Sequence, residues 1–386
     1  MVAGRVVSCS GGLLRMNGMR YRLLVAMVLV GQAGGQTLAH KNWAGSGMSA
    51  QSWWERAVFC RVSEGATLKQ AEAQMDRMQA MGCDAVVLSP LGAGSTPVDA
   101  KLGSIEDADA LIEDVGHRKM RLVLDLALAG ATEEELTGRM RLWLNRGVAG
   151  FVLVGQPVDP GMVKRLRQVV AGALGVRVLI GDGAVPDAQM MVRHLGGGVA
   201  AVRAELAGAS GPVVLSGSVG AAKVSAAVLL GNGAAAELPV EAGHAGLKAK
   251  RAFSADELML WVPVGDASLV KQDEAGYAAM TAWDAKLVEL HHGHEALRTG
   301  QATYLDHDAQ GVLAWVVKGR VGVAPAIVLC NLSGKPVKVA LRAEVKALGV
   351  KGGYLRPLLR SEEGKNYPSL DGVELGVDEV LVGEIR

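Results

Sequence analysis

Aromatic side chains are scarce in this chain of 386 residues, with phenylalanine, tyrosine and tryptophan together making up only 4% of it. Carbohydrate sites commonly use aromatic faces as platforms, so few residues are left to build sugar-stacking subsites. An excess of charge of one sign is also lacking. The 40 Lys and Arg residues face 39 Asp and Glu, for a net charge of +1. That balance gives no electrostatic case for a nucleic-acid partner, which needs a basic stripe. Cysteine is sparse: after the N-terminal segment only Cys60, Cys83 and Cys330 remain, with no CxxC among them. Cys60 and Cys83 lie on apolar, strand-like stretches, and the expectation is buried free thiols rather than a bridge or a metal site. The N-terminal apolar run LLVAMVLV (residues 23–30) is shorter than the roughly 20 residues of a spanning helix.

That run has a recognisable setting. Arg20 and Arg22 precede it, and the small residues of TLA (37–39) follow at a plausible cleavage position. A charged start, a short apolar stretch and a small-residue exit describe a secretory signal peptide. The expectation is a leader and signal over residues 1–39 and a linker over 40–52. The rest would be exported to a periplasm or the outside, with no stable membrane span after cleavage.

From residue 53 short apolar runs alternate with amphipathic helices. AVFCRV (57–62) reads as a first strand, and TLKQAEAQMDRMQAM as a helix capped by Thr67 with Gln70 three residues on and closed by Gly82. DAVVLSP (84–90) is a second strand. SIEDADALIEDVGH repeats the helix logic, with Ser104 and Asp107 as its capping pair and Ile105, Ala108, Ile112 and Val115 on its apolar face. RLVLDLAL (121–128) is a third strand, and TEEELTGRMRLWLNRG a third helix capped by Thr132 and Glu135. GFVLV (150–154) and VRVLIGD (176–182) follow as the fourth and fifth strands, with VAAVRAE, PVVLSGS and AAELPVE as weaker candidates for three more. Continuous apolar strands separated by helices imply a parallel sheet covered on both faces. Eight such units imply an α/β fold of the closed (β/α)8 TIM-type barrel over residues 53–299. An open doubly wound sheet would want a glycine-rich phosphate loop after the first strand, and AVFCRVSEGAT is not one. Beyond residue 300, GVLAWVVKG, APAIVLCNLSG, KPVKVAL and EVLVGEI are strands joined by turns, which predicts a C-terminal antiparallel β-sandwich over 300–386.

Together these stretches resemble the alpha-amylase family of glycoside hydrolases. WWERAVFCRV is similar to that family's opening strand, MGCDAVVLSP to its second, and LGSIEDADALIEDVGHRKMRLVLDL to the run through its second helix and third strand. RLWLNRGVAGFVLV resembles the approach to its fourth strand, and LVELHHGHEAL its last barrel helix. The resemblance implies a pared-down barrel, because only AGATEEE stands where the family usually inserts a domain after the third strand. ELAGASG looks too short for a normal helix between the sixth and seventh strands.

The family cleaves α-glucosidic bonds with retention, using two carboxyl groups about 5–5.5 Å apart. In its third-strand motif an Asp is followed by Asn and His. Here Asp125 is followed by Ala129 and Gly130 at those places. Its fourth-strand motif carries an arginine and the nucleophilic Asp, and the matching positions hold Val152 and Val154. Its fifth-strand acid/base Glu corresponds to Asp182. The seventh-strand motif falls on SGSV (216–219), without an Asp. The candidate catalytic residues are therefore Asp182 at the acid/base position and Asp125, which is either a site residue or a strand-end carboxylate bonded to loop amides. An Asp for Glu exchange shortens reach by one methylene, and a misplacement near 1 Å costs on the order of 100-fold in rate. Glu205, Glu237 and Glu241 lie near the ends of later strands.

HHGH (His291, His292, His294) could be mistaken for a metal cluster, but a helix end suits histidines, and no HExxH spacing accompanies them. No metal and no cofactor is expected. NLS (331–333) fits a glycosylation sequon but matches a strand-end framework segment, and KAKR (248–251) reads as solvated surface. Two functions remain. One is an exported protein of α-glucan or α-glucoside metabolism with hydrolysis lost or weakened. The other is a non-catalytic barrel binding a glycan or a protein, as in transporter heavy chains that resemble this family. An oligosaccharide is the expected ligand.

Overall fold

The computed structural model describes residues 52–93, 96–155, 157, 159, 161–182, 185, 187–208, 212–232, 234–239, 274–362, 364 and 367–386. The signal segment, the linker before Ser52, Glu241 and the KAKR run lie outside the described residues.

Eight strands close into a barrel in chain order. They are β1 (Val58–Arg61), β2 (Ala85–Leu88), β3 (Arg121–Ala127), β4 (Gly150–Val154), β5 (Val178–Asp182), β6 (Met190–Leu195), β7 (Val213–Gly217) and β8 (Ala235–Pro239). Every neighbouring pair is parallel, and β8 returns to β1 through Val58↔Ala236 and Phe59↔Glu237. Side chains of a strand alternate between faces, so each strand sorts its residues into two cores. Phe59, Ala85, Val87, Val123, Val152, Val178, Ile180, Met190, Val192, Val214 and Ala235 fill the barrel interior. The residues between them, such as Val86, Leu124, Phe151, Leu153 and Leu179, face the surrounding helices in a separate cluster. Trp54 belongs to the interior cluster and Trp53 packs against it from the 3₁₀ turn Trp53–Arg56, so two of the few aromatics close one end of the barrel.

The expected capping boxes all form. Thr67 pairs reciprocally with Gln70, Ser104 with Asp107 and Thr132 with Glu135. The helix expected after β1 is two pieces, α1 (Leu68–Glu72) and α2 (Met75–Met81). An i→i+3 bond from Gln74 N to Ala71 O interrupts the α-helical ladder between them. Helices α3 (Ile105–His117) and α4 (Glu133–Arg146) stand where the periodicity puts them, and α5 (Met162–Ala171) links β4 to β5. In α3, Leu111 joins Ala108 and Val115 in the core, while Ile105 and Ile112 are only half-buried.

Two expectations fail between β5 and β7. VAAVRAE is no strand but the start of α6 (Val199–Gly208), which also supplies the helix that ELAGASG alone looked too short to form. The sixth strand is MMVRHL, with Met190 and Val192 pointing inward. Alanine favours a helix, and the arginine and histidine of β6 break the uninterrupted apolar run that marks the other strands.

After α7 (Ala222–Leu230), α8 (Glu274–Gly293) and α9 (Glu295–Thr299), the C-terminal half is antiparallel. A five-stranded sheet of order β13-β15-β11-β10-β9 is built from β9 (Gln301–Leu305), β10 (Val312–Lys318), β11 (Ala326–Asn331), β13 (Leu355–Arg360) and β15 (Val380–Ile385). It faces a two-stranded sheet of β12 (Val337–Val339) and β14 (Val373–Leu375), with α10 (Arg342–Ala347) beside them. Leu329, Leu381, Val339, Val373 and Leu375 share the core between the sheets, which is the expected sandwich. The opposite face of the larger sheet, including Trp315, Val328 and Val382, shares the barrel's outer cluster. Trp315 is fully buried, and its indole N–H donates to Gly231 O at 2.9 Å, joining sheet to barrel.

The three histidines of HHGH diverge. The ring nitrogens of His291 face the carbonyls of Leu230 (2.8 Å) and Arg56 (3.0 Å), and burial pushes its pKa down. His292 meets Asp84 at 2.9 Å and His294 meets Glu384 at 3.1 Å. Each ties α8 or the residue after it to a different part of the frame. Asn331 is likewise internal: it is fully buried, its amide donates to Lys335 O and Gly376 O, and its carbonyl accepts from Ser333.

The cysteine expectation is overturned. Cys60 and Cys83 form a disulfide with Cα atoms 6.0 Å apart, while Cys330 is a buried free thiol. Cys60 sits on the outward face of β1, and the turn after α2 brings Cys83 beside it just before β2. That adjacency comes from parallel pairing and is invisible in the spacing. The bridge closes a loop of separation 23, for which the chain-entropy model gives about 3 kcal/mol. Urea unfolding of the Cys60→Ala/Cys83→Ala variant should show a loss of roughly that size. Equal stability with and without the pair would contradict a formed bridge.

Candidate functional site

The layer above the apolar interior lies at the C-terminal ends of the strands, where barrel sites form. Alternation decides which residues reach it. Arg61 follows Phe59 on β1, Asp125 follows Val123 on β3, Val154 follows Val152 on β4 and Asp182 follows Ile180 on β5. His194 follows Val192 on β6, Ser216 follows Val214 on β7 and Glu237 follows Ala235 on β8. One layer thus collects three carboxyl groups, one guanidinium, an imidazole, a hydroxyl and a valine.

Arg61 organises the layer. Its Nη1 donates to Asp125 Oδ2 at 2.6 Å, while its Nε and Nη2 donate to the two oxygens of Glu237 at 3.0 Å each. The second contact is the bidentate fork that suits a planar guanidinium to a carboxylate. Ser216 Oγ adds a bond to Glu237 Oε1 at 3.1 Å. Both carboxyl side chains are buried, 8% and 9% exposed, beneath an arginine side chain at 27%. Across the mouth, Asp182 meets His194 Nε2 at 2.5 Å in a more open setting, the aspartate 31% and the histidine 58% exposed.

Two buried carboxyl groups share the one guanidinium of Arg61. Burial opposes the charge on Arg61, but Glu237 and then Asp125 hold its pKa above the ordinary arginine range. Asp125 is pushed up to about 6, chiefly by burial. Arg61 works against that rise, and the charges of Glu237 and Asp182 add to it. Its Oδ1 is buried without a hydrogen-bond partner among the described residues, as a protonated or poorly solvated carboxyl would be.

Of the residues singled out from the sequence, Asp125 and Asp182 both reach the mouth. Asp125 accepts from Arg61 rather than from loop amides, contrary to the structural alternative considered for it. Glu237 also reaches the mouth, but Glu205 lies on α6, 4.0 Å from Arg193. Arg61, Ser216 and His194 were not anticipated as partners. The available signal was parity: each stands two residues beyond an inward apolar side chain. Val152 is fully enclosed in the interior, and Val154 is half-buried above it. The position that the family resemblance assigns to an arginine is therefore apolar, and a guanidinium reaches the layer from β1 instead. Among the described residues no group of three His, Cys, Asp or Glu side chains could hold a metal ion.

No family model and no curated protein sequence matches the chain. Solved structures do. An isomaltulose synthase from Klebsiella sp. LX3 superposes with a TM-score of 0.69 at 13% identity, over 88% of this chain and 100% of that one. The trehalulose synthase MutB from Pseudomonas mesoacidophila MX-45 gives 0.66 at 14% identity, also over 88% and 100%. A variant of the latter enzyme was solved in complex with the substrate sucrose. At this identity the likeness establishes the fold. A parallel eight-stranded barrel followed by a β-sheet domain is the fold that the resemblance to the alpha-amylase family implies.

The shared guanidinium makes a pH-dependent expectation. The folded pKa of Asp125 lies above its unfolded value of 3.8. The neutral carboxyl is therefore favoured by folding, and the stability it contributes is complete below pH 3.8 and lost as pH rises through about 6. In Asp125→Asn the guanidinium keeps Glu237, so no buried charge is orphaned. Chemical denaturation should find the variant more stable than wild type at pH 8, by on the order of 2 kcal/mol, with the difference vanishing toward pH 4. A variant less stable than wild type at pH 8 would show that the Arg61–Asp125 ion pair outweighs the cost of burying it.

Proposed function

We propose that this is an exported protein of alpha-amylase type, concerned with α-glucan or α-glucoside carbohydrate, in which hydrolytic turnover has been lost or much reduced. The observation that carries the reading is the state of the mouth carboxyls. A retaining glycosidase needs one carboxylate free to attack the sugar and a second, about 5–5.5 Å away, to exchange protons. Asp125 and Glu237 are both bound to Arg61 below the rim, and the strand position that resembles the nucleophile is Val154. Asp182 stands at the acid/base position, but it is ion-paired with His194 and has no attacking partner on β4. A carboxylate that accepts hydrogen bonds from a guanidinium is a poorer nucleophile, and removing it from those bonds breaks a buried charge pair.

Export is supported by the N-terminal pattern of basic residues, apolar run and small residues, and by the Cys60–Cys83 bridge, which suits an oxidising compartment. The carbohydrate class is supported by the fold and by the sucrose complex of a structural neighbour. The second reading, a non-catalytic barrel that binds a glycan or a protein, follows from the same mouth if turnover is wholly absent.

The test is hydrolysis of a maltooligosaccharide and of an aryl α-glucoside by wild type and Asp182→Ala side by side. We expect no release above a heat-killed control from either protein. Turnover by wild type that is abolished in Asp182→Ala would show a working enzyme with a rearranged carboxylate pair and overturn the proposal.

A further inference from the structure

One edge of the C-terminal sheet stands without a partner strand. In the order β13-β15-β11-β10-β9, the residue before β13 already bridges Ser369, whereas β9 pairs only with β10 among the described residues. Its sequence QATYL is suited to pairing, since threonine, tyrosine and leucine fit a pleated, half-buried surface. Natural proteins blunt a free edge with lysine, proline, a bulge or an inward-pointing charge. β9 has none of these, and its register with β10 runs unbroken from Gln301↔Lys318 to Leu305↔Ala314. An open groove of about 910 Å³ lies alongside, between residues 300–304 and helix α6. α6 presents Ala200, Ala204 and Ala207 to it, small side chains that leave room beside the edge.

The two ends of this strand carry opposite charge. Ahead of β9 lie Arg298 and Arg56, close enough for their charges to repel, with Lys318 across on β10 and Arg320 beyond it. Against them stand Glu55, bound to Ser52 N, and Glu295, 3.3 Å from Arg320. Four cations thus face two carboxylates, and Arg56 Nη1 is buried without a hydrogen-bond partner among the described residues. After β9 the balance reverses. Asp306 and Asp308 meet Arg203 of α6 at 3.5 and 2.9 Å. Glu344 accepts from Asp306 N and meets His307 at 2.7 Å. Three carboxylates there face one guanidinium and one imidazole. The Asp306 side chain is 78% exposed, so its charge is open to solvent.

We infer that β9 is a dimerisation edge, at which two copies of this chain pair antiparallel and join their five-stranded sheets into one. A two-fold interface repeats every contact, so its charge pattern must complement itself. A two-fold axis at Thr303 sets Gln301 opposite Leu305 of the partner subunit, and Ala302 opposite Tyr304 of the partner subunit. It also brings the Arg298 end of each strand to the acidic end of the other. Each excess of charge then meets its opposite, twice in every dimer, and the two threonines face each other as a favourable cross-strand pair. A peptide of uniform charge, acidic or basic, would be repelled at one end of the edge. The inference is independent of the reading of the barrel mouth: none of Arg61, Asp125, Asp182 or Glu237 takes part in it.

The test is sedimentation velocity of the full chain at micromolar concentration and low ionic strength. Wild type should sediment at twice the chain mass. Arg298→Glu and Asp306→Lys should each weaken dimerisation roughly tenfold or more, because the two-fold axis places every substitution in the interface twice. The double variant Arg298→Glu/Asp306→Lys exchanges the two charges and should recover to within about threefold of wild type. Both residues are exposed, and a far-ultraviolet circular dichroism spectrum matching wild type establishes that each variant folds. A monomeric wild type overturns the inference and leaves the edge to a different chain. A dimer that both single variants keep at full strength overturns it too, by placing the interface elsewhere. So does a double variant that dimerises as weakly as the single ones.

Discussion

A single guanidinium held between two buried carboxyl groups sets the character of the barrel mouth. Arg61 reaches Asp125 on β3 and Glu237 on β8 from its place on β1, so one side chain spans strands that are not all neighbours and closes the layer above the apolar interior. The arrangement is electrostatically costly, because burial penalises the charge on Asp125 more than Arg61 relieves it. The fork from Arg61 and the added bond from Ser216 satisfy the Glu237 carboxylate, while Asp125 Oδ1 stays without a partner among the described residues. A network of this kind positions groups rigidly. It also removes them from chemistry, since each oxygen engaged by Arg61 is one fewer available to a substrate.

The barrel around this network is conventional in its physics. Period-two alternation places Val123, Val152, Ile180 and Val214 inside and Leu124, Phe151, Leu179 and Leu215 toward the helices. The C-terminal sheet is joined through Trp315 and α7, and the histidines in the last turn of α8 meet backbone carbonyls and a carboxylate of the frame. The family resemblance and the fold therefore agree over the scaffold, while the mouth departs from the family pattern at the third, fourth and fifth strands. In the proposed reading the scaffold has been kept and the attacking carboxylate given up.

Much of this was legible in the residues. The capping pairs at Thr67, Ser104 and Thr132 announce three helices because a reciprocal side-chain bond needs only local sequence. GFVLV announces a buried strand because nothing charged interrupts it. The sixth strand was illegible for the converse reason: Arg193 and His194 make MMVRHL look polar, while the helix that follows is rich in alanine and valine. The site was half legible. Asp125 and Asp182 stand at strand ends in an obvious motif context. Arg61 is a lone charge closing an apolar run, and its role depends on β8 coming round to pair with β1. The disulfide depends on the same kind of closure, between β1 and the turn before β2, and no spacing rule reveals it.

The central claim is that, among the described residues, none of the mouth carboxylates Asp125, Asp182 and Glu237 is free to attack a sugar. A 5-fluoro-α-glucosyl fluoride, a slow substrate that accumulates the covalent intermediate of a retaining enzyme, interrogates that claim directly. Intact-protein mass spectrometry after prolonged incubation should show the mass of the untreated chain. A glucosyl adduct that maps to Asp125, Asp182 or Glu237 would contradict the account.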